Sequence, residues 1–412
     1  MAASVRRSTP WINIDRINVD HINEFDDSES VSTLIRSTEA AEILGVSKPT
    51  LYAYVSRGRL TRTTAPDGRT SLFERDEVER LSAQSRRAAP GPRPTIDVQI
   101  RSDVTTMHEA ALEFRGYDVV ELVRGHHFED VAELVWATAP TEPPTGTTWP
   151  KAAVADLEAI APLAELDATA IGRLAIAAHV LDALHRDDAA SAAARRLLLA
   201  TPALYGSRRR TGGFALRLAS AWDVQPSPDL VAAIDTALAL LADHELATST
   251  LAVRVAASTR TSPYAAFAAG LASIEGVFHG SASASVHRFL DLCAERGATT
   301  AIAETRAARQ PVPGFGHKVY RGVDPRFGPL MDAIRPIDRD ALALVDAIVE
   351  EVGRMLPHQP NVDLALGALT WAGGLHPDTP LFAVARVAGW AAHYDEELEE
   401  APLRFRGVAR PR

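Results

Sequence analysis

The sequence predicts a mainly α protein in which a large helical body follows a small winged helix-turn-helix module. Three observations carry this. From about residue 105 the chain is a succession of Ala- and Leu-rich stretches, such as "ATAIGRLAIAAHVLDALHRDDAASAAARRLLLA" at 168–200 and the stretch 228–256, whose few polar faces mark helices buried in a large domain. No strand–helix–strand alternation breaks that succession. Ahead of it, residues 37–60 hold two short helical patterns separated by a glycine turn.

Residues 1–30 are polar and acidic without periodicity and read as a tail. In "STEAAEILGVSKPTLYAYVSRGRL" (37–60), Ser37 is the expected N-cap of a first helix, Ala40, Ala41 and Leu44 its apolar face, and Gly45 its end. Ser47 is the expected cap of a second helix, with Pro49 in its first turn and Leu51, Tyr54 and Val55 turned inward. "LTRTTAPDGRTSLFERDEVERL" reads as two short strands around Pro66-Asp67-Gly68, followed by a helix capped by Asp76. The module spans 31–85. "RRAAPGPRP" (86–94) is the expected linker, and 95–412 the body.

Composition bounds what these parts do. Apolar residues make up 46% of the 412 and aromatics only 6%, so the core is built mainly from Ala, Leu and Val. The single cysteine, Cys293, excludes an internal disulfide framework and fits a reducing, cytoplasmic setting. No segment reads as an export signal or a membrane span. The net charge of −10 divides into −3 for residues 1–30, +4 for 31–94 and −11 for the remainder, a basic module before an acidic body.

The helix-turn-helix stretch resembles MerR- and excisionase-like DNA-binding modules. That resemblance puts Lys48, Thr50, Tyr52 and Arg57 on or beside a recognition helix and Arg62 and Arg69 on a wing within reach of phosphates. A docking or dimerisation role for the same geometry is the alternative.

In the body, nucleotide signatures fail: Val319 follows Gly316 where a third glycine would stand, and no GK[ST] occurs. "DHELATST" is not HExxH, the His126-His127 pair has no evident ligand partners, and no metal site is assigned. Three helix boundaries instead place ionisable groups at breaks. His279-Gly280 precedes a helix start, which disfavours a cationic imidazole. In "PVPGFGHKVY", glycines beside His317 are expected to leave backbone N–H groups free for a ligand. In "LPHQPNVDLALGAL", Asn361 can cap a helix that carries Asp363 in its first turn among apolar neighbours.

The ordered motifs "ALEFRGYDVVEL", "DHELATST", "VFHGSASASV", "PGFGHKVYRGVDPRF", "NVDLALGAL" and "LFAVARVAGWAAHYDEEL", spread over 111–409, resemble those of the citrate synthase family. The resemblance implies a two-domain, all-α body with a small domain at about 275–370 closing over a site at the domain junction. It implies condensation of acetyl-CoA with oxaloacetate and water to citrate and CoA, as in the tricarboxylic acid cycle. Asp363 is then the base for the acetyl methyl, neutral His279 the donor to the thioester oxygen, and His317 the group that polarises the 2-oxo acid's ketone. His244, Arg326 and Arg386 match the residues that hold the dicarboxylate. Arg404 is the nearest match to an arginine supplied by a partner subunit, which implies a homodimer. Pro313, Gly314, Phe315 and Gly316 form the loop that meets the CoA thioester, a co-substrate rather than a resident cofactor.

The sequence departs from the family at Ala247, where Asn is usual, at Ser281 and Ser283 in place of Gly and Asn, and in lacking the usual final "RP…Y". These departures favour altered substrate choice or a reduced rate over lost chemistry. Propionyl-CoA as acyl donor, giving 2-methylcitrate, is one alternative; a DNA-binding regulator that senses a metabolite through a synthase-like body is another.

Overall fold

The computed structural model describes residues 34–56, 58–88, 100–108, 111–139, 142–223, 225–276, 280–317, 319–320 and 322–405. The chain divides into two compact units, residues 1–95 with 409–412 and residues 96–408. Each has its own apolar core.

The first unit runs β1 (Leu34–Arg36), α1 (Ser37–Leu44), α2 (Lys48–Ser56), β2 (Thr63–Thr64), β3 (Ser71–Glu74) and α3 (Arg75–Ala88). Its antiparallel sheet has the order β1-β3-β2, with Ile35 opposite Phe73 and Thr64 opposite Ser71. Leu51 and Phe73 are fully buried, and Tyr54 and Val55 pack against that core. Gly45, at φ 65°, closes α1 as the sequence indicates. Asp67 folds the wing turn by accepting the N–H groups of Arg69 and Thr70 at 2.9 and 2.8 Å.

Three local expectations need correction, and one strand was not expected. Strand β1 runs directly into α1, so extended Arg36 occupies the cap position and Ser37 is already helical. The sequence reading did not include β1. Asp76 lies in the first turn of α3, which starts at Arg75. That helix continues to Ala88, so the expected linker begins inside it. The tail 1–30, residues 89–94 and Arg57 lie outside the described residues.

The body opens with a small antiparallel sheet, Thr105–Met107, Leu112–Phe114 and Tyr117–Asp118, and is otherwise helical. Helix Pro263–Ile274 packs on Ala170–His185 and Thr248–Ser258, and helix Leu381–Leu398 lies against Ala190–Leu204 and Thr248–Ser258. Fourteen residues of Leu381–Leu398 are buried, among them Arg386, His393 and Glu397, which marks it as a central helix rather than a surface one. Helices Ala282–Arg296, Ala298–Ala307, Arg339–Met355 and Val362–Ala372 pack on one another. Among the described residues no helix is long and apolar enough to cross a membrane.

Candidate active site

His244 sits in the turn between helices Pro228–Leu240 and Thr248–Ser258. The turn is fixed by Asp243, which is fully buried and accepts the Glu245 N–H at 3.0 Å and the Thr105 hydroxyl at 2.5 Å through Oδ2. Glu245 thereby takes a φ of 51°, which side-chain-bearing residues seldom adopt. Ala247 occupies the N-cap position of the next helix and has no side chain with which to cap it.

The Pro/Gly loop lies against the segment that leads into helix Val362–Ala372. Gly316 N–H donates to the Gln359 carbonyl at 2.8 Å, Asn361 N–H to the Gly314 carbonyl at 3.0 Å, and Asn361 Nδ2 to the Gly316 carbonyl at 2.6 Å. The expectation that these glycines leave their N–H groups free therefore fails at Gly316, because pairing with 359–361 consumes the donor. Glycine is needed for other reasons. Gly314 and Gly316 both have φ 82°, and a Cβ on Gly314 would lie 2.7 Å from that of Leu364. Phe315 forms an isolated antiparallel bridge with Pro360.

His317 follows this loop, and its tautomer is set by the backbone. Nδ1 accepts the N–H groups of Val319 and Tyr320 at 3.0 and 3.2 Å, so the neutral ring carries its proton on Nε2. Burial and nearby Arg326 hold its pKa below the ordinary histidine value. The His244 ring lies edge-on to it at 5.5 Å between centroids, and burial with Arg326 and Arg386 holds His244 well below its ordinary pKa. His244 Nε2 is 3.2 Å from the Tyr320 hydroxyl, a neutral phenol that burial pushes up to about 12. The site thus holds two neutral imidazoles next to fixed positive charge.

That charge is Arg326 and Arg386, both buried. Arg326 is gripped by Asp324, Nε to Oδ1 at 2.9 Å and Nη2 to Oδ2 at 2.8 Å. Asp324 Oδ2 also accepts the Val362 N–H at 3.1 Å, tying the arginine to the start of the helix that carries Asp363. Arg386 stacks on Phe382, with Cζ 4.7 Å from the ring centroid, and its buried Nε and Nη1 have no hydrogen-bond partner. Burial pulls its pKa down to about 10, so it stays charged at neutral pH. Asn361 caps the next helix as expected, its Oδ1 accepting the Asp363 N–H at 3.0 Å. Burial raises Asp363 to about 6 against the pull of Arg326 and Arg386.

Below the site, helix Leu381–Leu398 carries a buried polar stripe, Arg386, Gly389, His393 and Glu397, at helical spacing. Asp243 lies against Gly389, where any Cβ would overlap its carboxylate, and its Oδ2 is 3.2 Å from His393 Nε2. Arg254, wholly buried, then joins Glu396 at 2.7 Å to Glu397 at 2.9 Å.

The structure brings His244, His317, Arg326, Arg386 and Asp363 into one neighbourhood. It does not bring Arg404 there. Arg404 donates to both oxygens of Glu397, at 2.7 and 2.6 Å, eleven residues along the helix from Arg386. His279 lies outside the described residues. Gly280, next to it, admits no side chain because a Cβ would overlap the Ile274 carbonyl. Ser281 stands at the N-cap position of helix Ala282–Arg296. Sequence reasoning missed Tyr320, Asp324 and Asp243. The first two lie within the quoted "GHKVYRGVDPRF" string, and Asp243 directly precedes His244, so proximity to a named site residue was the available signal.

The described body has the mainly helical fold of citrate synthases. The citrate synthase from Pyrobaculum aerophilum superimposes with a TM-score of 0.63 at 22% identity, over 85% of this chain and 93% of that one. The Thermoplasma acidophilum enzyme, solved as a ternary complex with carboxymethyl coenzyme A and oxaloacetate, gives a TM-score of 0.63 at 23% identity over 77% and 93%. The C-terminal domain family of citrate synthase matches residues 97–412, and a helix-turn-helix domain family matches 34–85. The chain belongs to the citrate synthase family. Bacillus subtilis citrate synthase 2 is 28% identical over 346 residues, 74% of this chain and 91% of that protein. The 2-methylcitrate synthase of Mycobacterium tuberculosis is 27% identical over 318 residues, 70% of this chain and 81% of its own. Identity reaches 34% with the Synechocystis sp. citrate synthase, where the alignment spans 42% of this chain and about half, 47%, of that relative's length.

Proposed function

We propose that the protein is a cytoplasmic condensing enzyme that joins the acetyl group of acetyl-CoA to oxaloacetate, releasing citrate and CoA. The observation that carries this reading is the pairing of a carboxyl raised to about 6, Asp363, with a neutral imidazole whose Nε2–H is fixed by two backbone donors, His317. A carbon acid needs a base that is ionised near neutral pH yet not strongly solvated, and a ketone under attack needs a preorganised donor. Asp363 takes a proton from the thioester methyl, and His279 donates to the thioester oxygen as enol character develops. The methyl carbon attacks the ketone carbon of oxaloacetate while His317 passes a proton to the forming alkoxide. Water then cleaves the thioester. Arg386, with its unpaired donors, and Arg326 hold the carboxylates, with His244 beside them. The region at about 275–370, which contains the four mutually packed helices, is the small domain that closes on the site, and its loop Pro313–Gly316 lies along CoA.

In this reading the protein is a homodimer. Arg404, which is engaged with Glu397 in its own chain, is the nearest match to the arginine a partner subunit would supply. The test is CoA-thiol release from acetyl-CoA and from propionyl-CoA with oxaloacetate. Faster release from propionyl-CoA would assign the 2-methylcitrate reaction, the activity named for the M. tuberculosis relative. No release from either would favour the second reading, a DNA-binding regulator. That reading is supported by the helix-turn-helix match and by exposed Lys48, Tyr52, Arg62 and Arg69, with partly exposed Thr50, on α2 and the wing.

A further inference from the structure

A cavity of about 490 Å³ lies between helices Val154–Ile160 and Ala190–Leu204 and the loop 205–213, and none of the residues of the catalytic reading lines it. Its volume is that of a small-molecule pocket. Its floor is apolar, with Leu157 and Leu199, and four cations face it: Lys151, Arg209, Arg210 and Arg217. Glu158 is the one acid among its lining residues.

Arg217 is the informative member. It is only 4% exposed, and its Nε is buried without a hydrogen-bond partner. Glu129 is the acid that acts on it, from beyond ion-pair distance, and Glu129 Oε1 already accepts the Phe214 N–H at 2.6 Å. Burial lowers the Arg217 pKa and raises that of Glu129, and the attraction between them offsets this only in part, with no hydrogen bond joining the two. A guanidinium does not escape by deprotonating, and a buried charge left unpaired is strongly unfavourable. Arg209, by contrast, is anchored at the rim, Nε to Ser220 Oγ at 2.9 Å.

We propose that this cavity binds a small organic phosphate with two or more negative charges, its phosphates meeting Arg217, Arg210 and Lys151 and its apolar part resting on Leu157 and Leu199. Four cations against one carboxylate exceed what a monocarboxylate would neutralise, and arginine forks match phosphate oxygens in pairs. The apolar floor is larger than inorganic phosphate would use. The inference stands independently of the condensation reading.

Isothermal titration calorimetry on the full-length protein at constant ionic strength tests it, with pyrophosphate, ATP and adenosine as probes. Pyrophosphate and ATP should bind, ATP more tightly, and adenosine weakly. Arg217→Gln should weaken both anions by about tenfold or more, whereas Asp363→Asn should leave them unchanged. ATP held by the loop proposed for CoA would be indifferent to Arg217, which separates the two sites. Should Arg217→Gln fail to fold, exposed Arg210→Ala and Lys151→Ala carry the same expectation. Absence of pyrophosphate and ATP binding to the wild type, or binding unaffected by these substitutions, overturns the proposal.

Discussion

Asp324 receives both arms of the Arg326 guanidinium, at 2.9 and 2.8 Å, with both side chains almost wholly buried. The same carboxylate accepts the Val362 N–H, so one acid orients a buried cation and the helix that carries Asp363, the proposed base.

Asp324→Asn should therefore damage two kinetic quantities at once. Asn offers one acceptor oxygen instead of two and deprives a buried guanidinium of its hydrogen-bonded counter-charge, a change that costs on the order of 3–5 kcal/mol. We expect a lower melting temperature, a raised KM for oxaloacetate and a lowered kcat. Wild-type values for all three would mean that the pair is dispensable.

Asp363→Asn should abolish condensation, by about 10²- to 10⁴-fold or more, with oxaloacetate affinity nearly intact by calorimetry. Wild-type kcat should fall as pH drops through about 6, where the base protonates. Stability gives an independent signature. The folded pKa is raised from 3.8 to about 6, so the group favours folding below pH 4 and loses that contribution as pH rises through 6. At pH 8 the ionised carboxyl costs about 3 kcal/mol. The Asn variant should accordingly melt higher than wild type at pH 8 and close to it at pH 4. Equal melting at both would deny the carboxyl its strained environment.

Arg386→Leu removes a buried cation whose Nε and Nη1 have no hydrogen-bond partner within the protein. Oxaloacetate affinity should fall by about 2–5 kcal/mol, while acyl-CoA affinity measured without oxaloacetate changes little. Loss of both to the same degree would point to general disruption of helix Leu381–Leu398.

Removing residues 1–92 should leave condensation intact, since the proposed catalytic groups all belong to the second unit. If the module reads DNA, full-length protein should bind a fragment near its own gene with an affinity that falls steeply with salt, and Arg62→Ala or Arg69→Ala should each lower the salt slope by about one. A truncated protein that loses synthase activity would instead make the module part of the enzyme's assembly.

The helices of the body and the winged module are legible in periodicity and turn residues, and the grouping of His244, His317, Arg326, Arg386 and Asp363 is legible only through the resemblance of the ordered motifs to the citrate synthase family. What escaped was the pairing that fixes them. Nothing in "PGFG" says that Gly316 spends its N–H on Gln359, because the partner lies 43 residues away and the bond is main-chain to main-chain. The roles of Asp324 and Asp243 are hidden similarly, since proximity to Arg326 and His244 marks them but their burial, which makes them ion-pair partners, is not written in the local sequence. Strand β1 was invisible for another reason: three residues are too few to show a period of two.

The gap that Gly389 leaves on its helix has a consequence for inheritance. Asp243 fills that gap, between Arg386 one turn before it and His393 one turn after it. A mutation to any larger residue at 389 would displace an acid that belongs to a different part of the gene, and the turn holding His244 with it. Within "RVAGWAAH" the glycine therefore admits no side chain, and a lineage that lost it would have to rebuild both segments together.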